Sequence, residues 1–288
     1  MKTFTELDVT KKITIEYADE VCDKHHKEIR KVITGGDAVC PLCFTAEMTE
    51  NLRVETLAKV ERQKLNKNYN VLKRHSLLSD ADLEHAKISN FQSYCNETDA
   101  NKKRVIELLG RIMGGENMSV WFSGNTGVGK SHLAMSMLDA LNEAGMKRVE
   151  DNKELSFDER LSLAKSCLFV NVNFLMDSIR ESFSNEHAIT TPKYMVDLLT
   201  SVDYLVLDDI GSEVGGIDTN KKASDFVTKT LYAIVTGRQD KTTIYTTNLS
   251  GMMLKNIYDD KAFSRMTRNA ESVVFRSSKD QRSKGLDF

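Results

Sequence analysis

Short apolar runs alternate with longer helical stretches along the second half of the chain. The runs are MSVWFS (118–123), CLFVNV (167–172), DYLVLD (203–208), TTIYTT (242–247) and ESVVF (271–275). Runs of this length that are rich in β-branched and aromatic residues are typical of buried strands. Because strands that alternate with helices form parallel sheets covered on both faces, the pattern predicts an α/β fold with a five-stranded parallel sheet.

The stretch before the first of these strands is predicted to be largely helical. No glycine lies between Gly36 and Gly110, so this stretch lacks a frequent helix breaker. Residues 51–79 are expected to form a helical linker, whereas the polar residues 145–166 predict an extended connection. One amphipathic helix is indicated by apolar residues at positions i, i+3, i+4 and i+7, which are Val105, Leu108, Leu109 and Ile112.

A glycine-rich motif follows the first predicted strand. The sequence GNTGVGKS satisfies G-x-x-x-x-G-K-[ST] and precedes a helical run, as in nucleotide-binding loops. Backbone N–H groups of such a loop surround a phosphate, the lysine adds a positive charge, and the serine hydroxyl is the expected Mg²⁺ ligand. The predicted site comprises Gly124, Asn125, Thr126, Gly127, Val128, Gly129, Lys130 and Ser131, followed by His132.

Polar residues end two later strands. Asp208 and Asp209 follow a buried run, an arrangement in which the first aspartate holds Mg²⁺, together with Ser131, and the second polarises the attacking water. Many such ATPases carry glutamate at the second position, so the shorter Asp209 predicts slow hydrolysis. Asn248 closes the next strand, where its amide could orient the water; a polar strand end without this role would look similar.

Two short pairs of potential metal ligands lie near the N-terminus. Two residues separate Cys22 from His25, and two separate Cys40 from Cys43. Zn²⁺ prefers four tetrahedral N or S ligands, and a short pair on each side of a turn can close on one ion. The spacing predicts a small zinc-binding domain. His26 is an alternative ligand to His25, and the opposing interpretation is two buried thiols with a surface histidine.

Composition and charge place the protein among soluble globular proteins. Of 288 residues, 40% are apolar and 28% charged. No apolar run approaches the ~20 residues that span a bilayer, and the N-terminus lacks the apolar core of a secretory signal, so we expect a cytoplasmic protein without a membrane partner. The net charge is −2, yet residues 51–77 carry seven Lys or Arg against two acidic residues. This stretch is either a nucleic-acid surface or a solvated helix face.

The order of four motifs resembles that in the AAA+ domain of the DnaC and DnaI helicase loaders. The motifs are GNTGVGKSHLA, YLVLDDIGSE, TTNLS and FSRMTRNAESVVF. The resemblance covers residues 80–288 and implies an AAA+ P-loop NTPase with an αβα core that binds ATP and Mg²⁺. It also implies an arginine finger at Arg265, with Arg268 and Arg276 as alternatives, and a sensor 2 residue at Arg282.

The same resemblance implies a domain organisation and a function. Residues 1–50 would form the zinc-binding domain that contacts the helicase, 51–79 the linker, and 80–288 the ATPase domain. Only 40 residues follow Asn248, so the helical lid is expected to be truncated, as in the loaders. A phage-like loader would place a DnaB-type hexameric replicative helicase on single-stranded DNA and would self-assemble in the presence of ATP.

Two other functions remain open at the level of the sequence. A transposition helper ATPase of the IstB type shares much of the AAA+ domain but generally lacks a zinc module, which favours the loader. An ATP-gated adaptor would bind nucleotide with little turnover if Asp209 is a weak base.

Overall fold

A computed structural model describes residues 16–31, 39–185, 187–214 and 222–281. The chain divides into two compact units, Met1–Gln63 and Lys64–Phe288. Within the described ranges, no helix combines the length and the apolar character needed to cross a membrane.

The first unit contains a small hairpin and most of a long helix. Strands β1 (Glu16–Val21) and β2 (Glu28–Lys31) pair antiparallel. Helix α1 (Pro41–Tyr69) starts with proline. Proline is tolerated there because the first N–H groups of a helix have no helical partner, so the lack of an N–H costs nothing. The helix runs without a break through residue 50, where the sequence suggested a domain boundary, and continues past Gln63.

The second unit alternates strands and helices as the sequence predicts. Two 3₁₀ turns, Ala81–His85 and Ser212–Val214, interrupt this alternation. The helices and strands are α2 (Val71–His75), α3 (Asn96–Met113), β3 (Ser119–Gly124), α4 (Lys130–Asp151), α5 (Phe157–Leu163), β4 (Cys167–Asn171), α6 (Val172–Ser182), α7 (Pro192–Ser201), β5 (Tyr204–Asp208), α8 (Asp225–Thr236), β6 (Thr243–Thr247), α9 (Gly251–Ile257), α10 (Asp260–Met266) and β7 (Ala270–Phe275).

The five strands β3–β7 form one parallel sheet in the order β4-β5-β6-β3-β7, which confirms the predicted fold class. Strand β6 lies between β3, which precedes the glycine-rich loop, and β5, which ends in the acidic pair. Because carboxyl ends of parallel strands share one edge of a sheet, this order places Asn248 between the loop and the acidic pair.

Alternate strand residues face two hydrophobic clusters, one on each side of the sheet. On one side, Val120 and Phe122 pack with α3 and α4, and the predicted stripe of α3 is buried there. On the other side, Trp121 and Tyr245 stack with their ring centroids 4.4 Å apart and pack with α6, α7 and α8. The core of this unit is thus built on both faces of the sheet.

The predicted extended connection at residues 145–166 is wrong. Helix α4 continues to Asp151, and α5 follows at Phe157–Leu163. Ser156 and Glu159 form a capping box at the start of α5, an S-x-x-E signature present in the sequence. Val149 is buried against Leu65 and Ala164, so isolated apolar residues anchor an otherwise polar stretch.

Candidate nucleotide-binding site and metal cluster

The glycine-rich loop connects the end of β3 to the start of α4. Gly129 is the N-cap of α4 with φ +96°, a conformation that favours glycine. A side chain there would also collide with Phe91, because a Cβ atom would lie 2.7 Å from its ring. The loop therefore leads directly into the N-terminus of a 22-residue helix, where free N–H groups favour anions.

Lys130 joins the loop to the end of β6. Its Nζ atom donates one hydrogen bond to the Asn125 carbonyl oxygen and one to Asn248 Oδ1, both at 2.7 Å. Only 5% of Lys130 is exposed. The structure thus brings together Lys130 and Asn248, which the sequence predicted separately and which lie 118 residues apart.

Thr246 arranges the two aspartates at the end of β5. Its hydroxyl donates to Asp208 Oδ1 at 2.7 Å and accepts from the Asp209 backbone N–H at 2.8 Å. Asp208 is fully buried and also accepts from Asn171 Nδ2 at 3.4 Å. Asp209 has φ +57°, uncommon for a residue other than glycine. Asp208 consequently lies within the protein, whereas Asp209 borders a cavity.

This cavity has a volume of about 220 Å³. A lysine ammonium group, a serine hydroxyl and carboxylates line it. The hydroxyl and carboxylate oxygens suit Mg²⁺, and the lysine charge suits phosphates. Three of its lining residues were not indicated by the sequence: Asp80, Asp82 and Leu83, which lie in the segment before α3. The lining residues are Asp80, Asp82, Leu83, Thr126, Gly127, Gly129, Lys130, Ser131, His132, Asp209 and Asn248.

His132 holds this preceding segment against the loop. Its Nε2 atom lies 3.0 Å from Asn90 Oδ1 and 3.2 Å from the Lys87 carbonyl oxygen. Both neighbours are acceptors, so Nε2 carries the proton. Burial lowers the pKa of His132, which favours the neutral ring, and the ring contacts Phe91 at a centroid distance of 5.6 Å.

Glu213 organises the loop after the acidic pair. Its carboxylate accepts from the Gly211 backbone N–H at 2.9 Å and from the Tyr258 hydroxyl at the end of α9. Burial raises the pKa of Glu213, although these hydrogen bonds oppose the shift. Nothing in the spacing of the sequence indicates the contact with Tyr258, since the two residues lie 45 positions apart.

The candidate arginines lie at different edges of the sheet. Arg265 and Arg268 are beside Met118 and Ser119, where β3 begins. The Arg265 guanidinium lies 4.7 Å from the Tyr232 ring centroid. Arg276 follows β7 at the opposite edge, where the phosphate loop also lies. Arg282 falls outside the described residues.

The four predicted zinc ligands in the first unit form one cluster. Their donor atoms all lie within 4.8 Å of one another. His25 Nδ1 is 3.3 Å from Cys43 Sγ, 3.7 Å from Cys40 Sγ and 3.8 Å from Cys22 Sγ. Four ligands at 2.0–2.3 Å from a tetrahedral Zn²⁺ ion lie roughly 3.3–3.8 Å apart. The cluster therefore fits a zinc site, and it contains His25 rather than the alternative His26.

The second unit has the fold of the AAA+ P-loop ATPases. A solved structure of the DnaC helicase loader is similar to it, with 20% identity, a TM-score of 0.50, and coverage of 68% of this chain and 99% of that chain. A candidate primosome component from Streptococcus pyogenes serotype M3 gives 17% identity and a TM-score of 0.51, over 72% of this chain and 94% of that chain. No protein-family model and no curated protein matches the sequence. The resemblance to the helicase loaders is thus confirmed at the level of the fold.

Proposed function

We propose that this protein is an ATP-dependent loader of a DnaB-type replicative helicase onto single-stranded DNA during the initiation of replication. The observation that carries the proposal is the position of Lys130, which links the phosphate loop to Asn248 within the fold of the DnaC helicase loader. A cation that is already oriented between these two groups suits a nucleotide whose terminal phosphate is sensed from the end of β6.

The residues of the cavity divide the work of an ATPase. Bound ATP and Mg²⁺ would supply the phosphoanhydride bond and neutralise the phosphate charge. The loop N–H groups and Lys130 would bind phosphates, and Ser131 would ligate Mg²⁺ directly. Asp208 would act through water, because it is fully buried and does not line the cavity. Asp209 would take the proton from the attacking water, and its short side chain supports slow turnover.

Arg265 would complete the site of a neighbouring copy. Strand β3 has six residues, so the edge that carries Arg265 lies roughly 15–20 Å from the edge that carries the phosphate loop. Arg265 therefore cannot reach the nucleotide of its own chain, which supports action on a neighbour and ATP-promoted self-assembly. The position of Arg276, beside its own phosphate loop, disfavours that alternative for the finger.

The cysteine and histidine cluster would hold one Zn²⁺ ion and give the first unit a rigid surface for the helicase. A metal supplies folding free energy that a unit of this size gains only in part from a hydrophobic core. The ATPase unit would carry the contact with single-stranded DNA, which must respond to nucleotide to control the release of the helicase.

The test is a loading assay with a DnaB-type helicase, circular single-stranded DNA and ATP. The intact chain should increase the amount of helicase on DNA, and Lys130→Ala should abolish this increase while leaving the circular-dichroism spectrum unchanged. Lys153→Ala, at an exposed position, is the matched control. Failure of the wild-type chain to bind any replicative helicase, together with capture of a transposase, would instead support a transposition helper.

A further inference from the structure

The chain that leaves β7 is tied down immediately by the first turn of α3. We define residues 276–281 as the C-terminal strap. The carboxylate of Glu97 accepts hydrogen bonds from the Arg276 backbone N–H at 2.7 Å and the Ser277 backbone N–H at 3.1 Å. It also accepts from the Ser278 hydroxyl. One side chain therefore fixes three consecutive residues of the strap.

The far end of the strap is fixed to the phosphate loop. The Tyr94 hydroxyl donates to the Lys279 carbonyl oxygen at 3.0 Å. The Gln281 backbone N–H donates to the Gly127 carbonyl oxygen, also at 3.0 Å. The strap thus crosses from the start of α3 to the middle of the loop. The Glu97 carboxylate holds its first half, and the Gly127 carbonyl oxygen holds its last residue.

Asp280 contacts the loop directly. Gly127 has φ +73°, and a Cβ atom added to it would lie 1.8 Å from Asp280 Oδ1 and 2.2 Å from Asp280 Cγ. Only the absence of a side chain at Gly127 allows the carboxylate to approach the loop backbone this closely. Asp280 is exposed to solvent. An acidic side chain therefore lies against a loop whose neighbouring N–H groups and lysine are suited to anions.

We infer that the C-terminal strap is a built-in restraint on nucleotide binding, in which Asp280 opposes the entry of phosphates and Glu97 positions Asp280. This inference rests on the proposed binding of nucleotide by the same loop. Like charges repel, and the repulsion is strongest where few water molecules separate them. Nucleotide binding then requires the strap to shift or Asp280 to turn away, so contacts that change the strap change the affinity of the loop.

The direct test is the affinity of Asp280→Asn for ATP, ADP and AMP, measured by calorimetry on the full chain in low salt. Asparagine keeps the shape of the side chain and removes its charge. Because an exposed charge is partly screened, we expect ATP to bind roughly five-fold tighter, with a smaller gain for ADP and the smallest for AMP. Asp151→Asn, which removes an exposed carboxylate at the far end of α4, should leave all three affinities unchanged.

Glu97→Gln tests the positioning role independently. It should speed amide hydrogen exchange across residues 277–281 and raise ATP affinity in the same direction, and the double variant should gain little over Asp280→Asn because both changes act on one restraint. If wild-type protein binds ATP but the two single variants bind it equally or more weakly, the inference is overturned while the proposed function stands. If wild-type protein binds no nucleotide, both are wrong.

Discussion

Thr246 gives two adjacent aspartates different environments. Its hydroxyl donates to the buried Asp208 carboxylate and accepts from the Asp209 backbone N–H. The second of these bonds fixes the backbone of Asp209 in its left-handed conformation at φ +57°. As a result, only the second aspartate borders the cavity that contains Lys130 and Ser131. The two roles that we propose for these aspartates, base and indirect metal ligand, are thus separated by a single hydroxyl group.

Asp209→Asn should retain ATP binding and lose hydrolysis. The amide cannot accept a proton from water, and loss of a general base typically lowers turnover by roughly 100-fold or more. Phosphate release and ATP affinity, measured on the same preparation, check the two halves of this prediction. Asp197→Asn, at an exposed position on α7, should match wild type. Turnover at the wild-type rate would remove Asp209 from the role of base.

Arg238 is a buried charge that was not indicated by the sequence. Only 3% of it is exposed, and burial lowers the pKa of Arg238 to about 10. Its guanidinium donates to the carbonyl oxygens of Leu199 and Val202 at 2.8 Å, and to further acceptors in residues 203, 242 and 243. These bonds satisfy carbonyl groups at the end of α7, which have no helical N–H partner; the Val202 carbonyl oxygen also accepts from Lys241 Nζ at 3.2 Å.

Arg238→Met should lower the free energy of unfolding by about 3 kcal/mol, because several buried carbonyl groups would lose their donor. Urea denaturation provides the measurement. Arg180→Met is the control, since the Arg180 side chain is 48% exposed and its ion pair in the described part of the chain is with Asp177 on its own helix. A destabilisation equal to that of the control would show that water replaces the guanidinium without loss.

At the scale of helices and strands, regular patterns were the most predictable feature. All five strands of the sheet agree with the apolar runs to within one or two residues, since their burial on both faces leaves continuous apolar sequence. The stripe of α3 was equally clear. By contrast, α5 was missed because its anchor is a few scattered apolar residues, although its capping box at Ser156 and Glu159 was readable.

The candidate site was predictable only where motifs define it. The phosphate loop, the acidic pair and Asn248 follow from residue order. The segment that contributes Asp80, Asp82 and Leu83 does not, because its conformation depends on contacts such as that of His132 with Asn90, 42 residues away. The hydrogen bonds that Glu97 accepts from the C-terminal strap span about 180 residues and carry no local signal.

The cysteine and histidine cluster of the first unit allows a direct test of zinc binding. Freshly purified protein should contain about one zinc ion per chain, and the double change of Cys40 and Cys43 to serine should remove it, because thiolates dominate such a site. Elemental analysis is the measurement. Cys95→Ser is the control, since Cys95 lies outside the cluster. Protein without zinc before any chelation would contradict the assignment.

At the scale of the whole molecule, the two units offer a natural place to separate functions. A cut near residue 77 would damage the second unit, because Leu77 pairs with β4: its N–H donates to the Phe169 carbonyl oxygen at 2.9 Å, and its carbonyl oxygen accepts from the Asn171 backbone N–H at 2.8 Å. A cut after Gln63 keeps these bonds, but it divides helix α1.

Residues 1–63 should bind the helicase whether or not ATP is present, since they contain none of the ATP motifs. Residues 64–288 should bind single-stranded DNA only with ATP, and more weakly as salt rises, because phosphate contacts release counterions. Labelled DNA and immobilised helicase measure both activities, with circular dichroism as the check on folding. Helicase binding by the larger fragment alone would reverse the proposed division.

The separation of Arg265 from the phosphate loop has a consequence for symmetry. If the arginine on one edge of the sheet serves the nucleotide on the other edge of a second copy, two kinds of association satisfy the contact: a twofold dimer of antiparallel copies that serve each other, or a head-to-tail series. A head-to-tail series has a polarity, so copies add in one direction and either close into a ring or continue as a helix. Every open head-to-tail series keeps one nucleotide without a finger and one finger without a nucleotide. A chain lacking Arg265 would therefore still be added at one end, yet would leave the next site incomplete.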